Sequence, residues 1–545
     1  MEQYLERVIQ EALVELGAPS GTPIKFEVPQ NSAHGDLSTN IALTLAKPMK
    51  RAPRELALAL SKSLQQDNAM IRAVEVAGPG FINISFTNQY LIEGLQKLIS
   101  EGSNFGKSYD HKGKTANVEW VSANPTGLLH AGHGRNICLG AALTNLLEWT
   151  GYTVVREYYF NNAGNQMKNL AISVRVRYLQ ALGDVIELHE EGYHGEEIKE
   201  IANDLIAKYG DSKRDADLEF FQKFGEEFNF SNIKKTLERL GIRHDIFFNE
   251  NSLYDSGAIK DVIEEFKAKG LAYEKDGAIW LKLSAMGEDD DRVIVKSSGE
   301  PTYRLPDICY HRDKLSRGYA LVVDIFGADH IATVTDVLAA VRSLGLETEK
   351  VKVIIHQMVS FNSNGEVIRF SKRSGGNYTL DELLDDVGPD AAKFFFNMRA
   401  AGSHLEFDVA LAKEQSDKNP VYYVQYAHAR IGSLLRLAKD QGLDVTSGAA
   451  PESLPALEHP EELALIKVLL RFPEVVRLSA QSFAPHHLCE YIREVAAQFH
   501  KFYHECRIVQ SAEPVRSARL QLSIATKQVL ASGCELLGVR APESM

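Results

Sequence analysis

Two histidines stand three residues apart in His130-Ala131-Gly132-His133, a spacing that puts both imidazoles on one face of a helix. Where such a helix starts, unpaired backbone N–H groups and the positive end of the dipole favour a phosphate. Imidazoles beside it can donate to the charge that develops on a pentacovalent phosphorus, and Gly132 lets a flat adenine approach the backbone. The chemistry is attack on an α-phosphate. Taken by themselves the two residues read as a surface or satisfied core pair, and the strand, loop and helix around them turn the reading to catalysis. No neighbouring Cys or carboxylate completes a ligand set, so a metal site is not expected. A second element, Arg369-Phe370-Ser371-Lys372-Arg373, precedes Gly375-Gly376. A glycine-rich loop can move, and a lysine on it can close over a triphosphate and neutralise the leaving pyrophosphate in the transition state. Alone it reads as a solvated loop, and its pairing with the histidines gives it meaning.

These residues need elements to hold them. From Ala116 the run ANVEWVS reads as a strand, a loop ANPTGLL follows, a helix begins near His130 and runs to Gly151, and YTVVREYYF is a second strand. Strand, helix and strand make a βαβ crossover of a parallel doubly wound sheet. The pattern returns in LVVDIFG, ATVTDVLAAVRSLG and VKVIIHQMV. The stretch between, about residues 165–300, reads as an insertion with amphipathic helices and a strand pair, AIWLKL and VIVK, around an acidic turn. After Val359 a polar loop leads to Thr379, which with Glu382 predicts a capping box and a helix. Residues 1–110 read as a small α+β unit with two strands around Gly78-Pro79-Gly80. Residues 409–545 are helical almost throughout. The predicted fold is α/β and multidomain: a Rossmann-type parallel-sheet unit over 111–408 with an insertion, a small N-terminal domain and an all-α bundle. GSNFGKS at Gly102–Ser108 has three residues between its glycines where a phosphate loop needs four, and reads as a linker.

The chain of 545 residues is long enough for three or four domains. Its 44% hydrophobic and 24% charged residues are ordinary for globular proteins. Five cysteines, none in a CxxC pair, fit a reducing compartment. The N-terminus lacks the layout of a signal peptide, and no apolar run reaches the ~18 residues of a membrane span; a cytoplasmic location and no membrane partner are expected. A formal charge of −13 argues against a polyanion partner. However, 15 Lys and Arg balance 15 Asp and Glu from Leu411 to Met545, so the bundle is electrically distinct and permits a basic face.

The sequence resembles class I aminoacyl-tRNA synthetases, and within that class the arginyl-tRNA synthetases. His130 to His133 matches the HIGH signature and Arg369 to Arg373 the KMSKS signature, with Arg369 in place of the first lysine and Phe370 in place of methionine. VEWVSANPTGLLHAGHGR, REYYFNNAGNQM, PTYRLPDICYH, FGADHI and NPVYYVQYAHARIGSLLR extend the likeness through the catalytic unit into the bundle, and HGDLSTNIALTLAK and VAGPGFINISF carry it to the N-terminal domain. The resemblance implies a ligase that joins arginine to its cognate tRNA, with ATP and its Mg²⁺, through an arginyl-adenylate and the 2′-hydroxyl of the terminal ribose.

Position by position, the resemblance makes His130, His133 and Lys372 catalytic and puts Gly132, Arg369 and Ser371 on ATP. It sets Glu119, Ser122 and Asn124 on the amino group and backbone side of arginine, and Tyr303 and Asp307 around its guanidinium, with Asp329 and His330 completing the pocket. Carboxylates in fork geometry suit a planar five-donor cation. In the bundle, Tyr422, Tyr423, Tyr426 and Arg430 suit stacking on unpaired bases, and similarity to the anticodon-binding domain turns Tyr426 and Arg430 toward tRNA; Tyr503 and His504 are weaker candidates. A monomer is expected. The rival readings are a class I synthetase for another amino acid, a small HxGH nucleotidyltransferase, and a catalytically silent tRNA-binding relative.

Overall fold

The computed structural model describes residues 2–19, 21–29, 31, 34–65, 69–367 and 378–545. Arg369, Phe370, Ser371, Lys372 and Arg373 lie outside the described residues. Five parallel strands form the central sheet in the order Val351–His356, Leu321–Gly327, Thr115–Glu119, Thr153–Phe160, Ile246–Asn249. Its apolar runs are covered on both faces, as parallel strands require: Ala116, Val118, Val322, Val323 and Ile325 are buried. The chain enters at the central Thr115–Glu119 strand, crosses over through the helix His133–Trp149 to Thr153–Phe160, and later returns on the other side as Leu321–Gly327. The carboxyl ends of the two middle strands part at this switch point, where doubly wound sheets bind ligands. The helix lies close over it because a Cβ at Gly140 would come within 2.3 Å of Trp120, and one at Gly134 within 2.5 Å of Phe396.

Three elements differ from the sequence expectation. The helix starts at His133 rather than near His130. The preceding backbone is drawn into a ladder instead, with Ala131 N donating to Tyr378 O at 2.7 Å and Leu380 N to Leu129 O at 2.7 Å. Within the stretch read as an insertion, Ile246–Asn249 rejoins the central sheet as its edge strand. The remainder divides into a helical unit, Gly164–Ala181, Glu196–Tyr209 and Leu218–Arg239, with its own apolar core, and a small antiparallel sheet. There the expected pair, Ala278–Leu281 and Arg292–Val295, is joined by Ala272–Lys275. Finally, the polar segment after Val359 opens as a strand, Val359–Ser363, parallel to Leu405–Asp408. The predicted capping box is present, with Glu382 N on Thr379 Oγ1 at 3.1 Å and Thr379 N on Glu382 Oε2 at 2.8 Å.

In the N-terminal unit Ile71–Ala77 and Phe81–Phe86 pair antiparallel, and Leu37–Thr39 adds to the second of them. The C-terminal part is a bundle of the helices Pro420–Asp440, Pro460–Leu470, Phe472–Gln481, His486–Glu505 and Val515–Leu536. Lys467 Nζ lies 2.5 Å from Asp36 and joins the bundle to the N-terminal unit. Arg540 Nε on Asp390 Oδ2 at 2.8 Å and Lys393 Nζ on Gly538 O at 2.6 Å join it to the catalytic unit. Among the described residues no helix is long and apolar enough to cross a membrane.

Candidate active site

His130 and His133 stack with ring centroids 3.6 Å apart. The His130 backbone N–H donates to His133 Nδ1 at 3.1 Å, which leaves the proton of a neutral imidazole on Nε2 as a donor. Burial, followed by the adjacent His130 ring, brings His133 down to about 3, and burial also lowers His130. Both rings are therefore neutral donors at physiological pH. No side chain caps the helix behind them, so its dipole remains available to an anion. Gly132 is needed for the pair itself, because a Cβ there would sit 3.0 Å from His130 Nδ1. The rings open onto a cleft of about 550 Å³ that is also lined by Asn124, Gln166, Glu197 and Thr379. Thr379 bridges to His130, which sets the start of the helix Leu380–Val387 beside the histidine signature.

Glu119 ends the central strand. Beyond it Val121 (φ 70°) and Ser122 (φ 46°) are left-handed, a state that costs about 1–3 kcal/mol for such residues and persists where the surroundings dictate it. Asn136 dictates it here: Oδ1 accepts from Val121 N at 2.6 Å, and Nδ2 donates to Ile325 O at 2.8 Å across the switch point. Tyr158 OH on Ala123 O at 2.7 Å and Asn161 N on Asn124 Oδ1 at 3.0 Å hold the next residues. Ser122 Oγ consequently donates to Glu119 Oε1 at 2.9 Å, and Asn124 Nδ2 bonds Gln166 Oε1 at 3.1 Å.

Glu119 is 3% exposed, and its second oxygen takes Lys314 Nζ at 2.5 Å. The same ammonium is 2.5 Å from Asp324 Oδ1, whose other oxygen lies 3.1 Å from His311 Nε2. Burial opposes the Lys314 charge, but Asp324 and Glu119 outweigh it and hold the pKa above the ordinary range. Burial likewise works against ionised Asp324, yet Lys314 and His311 keep it below the carboxylate range.

Asp307 is different. It is half-buried on the first turn of the helix Arg304–Ser316, and no donor among the described residues bonds its carboxylate. Burial, reinforced by Glu119 and Glu250 against His311 and Lys314, pushes it up to about 7. Glu250 is buried, and its side-chain donors among the described residues are neutral: Tyr159 OH at 2.5 Å, Asn161 Nδ2 at 2.8 Å and the Tyr254 hydroxyl; burial raises it too. Two carboxylates without a cation of their own are costly to hold ionised, and a guanidinium fork satisfies both.

The structure therefore brings Glu119, Ser122, Asn124 and Asp307 to one end of the sheet. Tyr303, one turn before Asp307, is 81% exposed. Asp329 is not brought to the acid pocket: its side chain is 83% exposed beside His330, at 3.7 Å. Both act on His356, which in turn acts on His133, so Asp329 stands on the imidazole side. Glu250, Tyr159 and Lys314 were missed by the sequence reading. The only signal for Glu250 was an acid directly after the short apolar run IFFN.

In the bundle, Arg430 lies between two rings, its guanidinium 5.1 Å from the Tyr426 centroid and 4.7 Å from that of Tyr503. Its Nη1 donates to His500 Nδ1 at 3.3 Å. Tyr422 stacks near-parallel on Tyr426 at 6.1 Å, and Tyr423 tilts against His500 at 4.9 Å. Burial, then Arg430, brings His500 down to about 4. His504 points away from this group, exposed beside Glu505 at 3.1 Å.

A doubly wound sheet with an imidazole pair over its switch point and a helical bundle at its C-terminus is the design of a class I aminoacyl-tRNA synthetase, and residues 94–397 match the family model for the class I (R) catalytic domain. Residues 3–86 match the arginyl tRNA synthetase N-terminal domain and residues 424–545 the DALR anticodon binding domain. The arginine–tRNA ligase of Pelodictyon phaeoclathratiforme is 46% identical over 552 positions that cover 100% of both chains. A putative arginyl-tRNA synthetase structure from Campylobacter jejuni is 31% identical, with a TM-score of 0.77 over 84% of this chain and 100% of that one. The Thermus thermophilus enzyme, 22% identical, has the same fold with a TM-score of 0.80 over 100% of both. The chain belongs to the arginyl-tRNA synthetase family.

Proposed function

We propose that this protein attaches L-arginine to its cognate tRNA in translation, at the expense of ATP and by way of an arginyl-adenylate. The observation that carries the choice of arginine is the Asp307 carboxylate, without a donor among the described residues and pushed up to about 7 by burial, with Glu119 and Glu250 nearby. In this reading Asp307 and Glu250 take the guanidinium with Tyr303 over it, while Glu119, Ser122 and Asn124 receive the amino end. A lysine ammonium is a point charge and lacks the planar fork of paired donors that a guanidinium presents to carboxylates.

The arginine carboxylate attacks the α-phosphorus, forming the mixed anhydride as the bond to the bridging oxygen breaks and pyrophosphate leaves. His130 and His133, through their ring N–H groups and the uncapped helix behind them, stabilise charge on the phosphates. Lys372, with Arg369 and Ser371 on its loop and Gly132 beneath the nucleotide, takes the leaving group side. The 2′-hydroxyl of the terminal ribose then attacks the arginyl carbonyl and AMP departs. Among the described residues no cluster of His, Cys, Asp or Glu is placed to hold a metal. Mg²⁺, which the resemblance implies with ATP, would offset charge on the phosphates when bound. Residues 1–110 would read the tRNA body and residues 409–545 its anticodon, with bases stacking at Tyr426 and Arg430 and Tyr503 completing that surface. A cytoplasmic monomer accords with this role.

His133→Ala tests the catalytic assignment. Loss of one transition-state donor costs about 10²- to 10³-fold in turnover, so arginine-dependent ATP–pyrophosphate exchange with tRNA present should fall by that factor while the melting profile stays close to the parent's. Turnover within a few-fold of the parent would refute the role.

A further inference from the structure

Lys314 has no exposed surface, and the reaction described above does not use it. An ammonium buried this completely is costly unless carboxylates meet it, and evolution has cheaper means of satisfying a buried acid. Asp324 already has His311 at 3.1 Å. What Lys314 adds is a reach to Glu119. Ser122 Oγ holds Oε1 at 2.9 Å and Lys314 holds Oε2 at 2.5 Å, so both ends of that carboxylate are fixed by donors that are themselves fixed. A carboxylate offers about four lone-pair sites, and the two left over face a direction set by this clamp. Lys314 also shares its helix with Asp307. His311, one turn earlier than Lys314, lies 2.8 Å from the Asp307 carbonyl oxygen and 3.1 Å from Asp324. The strand acid Glu119 and the helix acid Asp307 are thereby connected through Lys314, Asp324 and His311.

We propose that Lys314 is a positioning residue for amino-acid selection: by clamping Glu119 against Ser122 it aims that carboxylate at the α-ammonium group of arginine. This rests on the reading that Glu119 receives the amino end of the substrate. Lys314 does not touch the substrate. Its effect is confined to the amino half of the pocket, and the guanidinium half is left to Asp307 and Glu250.

The test compares the full-length parent with Lys314→Met in tRNA charging, using 5-guanidinopentanoate, which is arginine without its α-amino group, as a competitive inhibitor. In the parent the inhibitor binds more weakly than arginine by about 10- to 100-fold, the range for a lost hydrogen bond to a charged group. In Lys314→Met the arginine KM rises by about the same factor, while the ATP KM and the inhibition constant of 5-guanidinopentanoate stay near the parent's. An inhibition constant that rises in step with the arginine KM, or an arginine KM that does not move, overturns the proposal. A parent that binds both molecules equally refutes the Glu119 reading itself, and the proposal with it. Lys314→Met/Asp324→Asn removes the second buried charge and covers a single variant that fails to fold. Recovery of the parental arginine KM in that double variant would mean that Lys314 serves Asp324 alone. Failure of both variants to fold would assign Lys314 to the fold only. Either result overturns the proposal.

Discussion

At the sheet end Glu119, Lys314 and Asp324 are buried, with the ammonium between the two acids, while on the bundle Tyr426 and Tyr503, each 37% exposed, flank Arg430. Both regions work through cations and rings, but with the roles exchanged. The sheet pocket keeps its own cation locked between two acids and leaves Asp307 and Glu250 short of one. The bundle face instead presents its cation between two half-exposed rings. A buried shortage of positive charge selects one small cation, because every acceptor left unmet is costly. An exposed stack accepts any flat base, gaining area and little selectivity. Small-substrate choice should therefore be sensitive to single atoms and to pH, and tRNA affinity to neither.

The sharpest way to break this contrast is Asp307→Asn. Removing one side of a desolvated ion pair costs about 3–5 kcal/mol, so kcat/KM for arginine should drop by two to three orders of magnitude with the tRNA KM unchanged. An equal rise in both constants would mean that Asp307 supports the fold rather than the guanidinium. Arg430→Ala is the converse and has a smaller expected effect. Loss of a base-stacking platform costs about 1–3 kcal/mol, so the tRNA KM should rise about five- to a hundredfold, with arginine activation at saturating tRNA close to the parent's. Activation that falls in proportion would erase the division between the two regions.

The smallest effect is set by pH. Arginine stays cationic throughout, and its binding needs Asp307 ionised. Affinity is therefore complete above the free-state value near 7 and is lost as pH falls through it. Between pH 8 and pH 6 the arginine KM should increase about tenfold, the loss of ionised carboxylate expected from a single group. His500, already brought down to about 4, stays neutral over this interval, so the tRNA KM should be flat in the same titration. A flat arginine KM would place the titrating group elsewhere.

Where local periodicity or a short motif carries the information, sequence was sufficient. The two βαβ units, the Thr379 and Glu382 capping box and the imidazole pair could be read in advance. What escaped is non-local. The helix start at His133 depends on backbone pairing of residues 129–131 with residues 378–380, more than two hundred positions away. Ile246–Asn249 is four residues long and became a sheet strand only because Thr153–Phe160 offered an open edge. Lys314 carries no local signal, since its two acids come from separate strands. Glu250 belongs to no motif and gains meaning only beside Asp307. Asp329 looked like a pocket acid because it ends a strand, but the chain turns there and exposes it.

An unmatched pair of acids, Asp307 and Glu250, selects a forked cation. Charging of purified tRNA with arginine, lysine and citrulline, the last a neutral isostere of arginine, tests it most directly. Arginine alone should be esterified, with citrulline about two to three orders of magnitude behind, the scale set by leaving a desolvated charge unpaired. Citrulline or lysine charged at a rate close to that of arginine would contradict the claim.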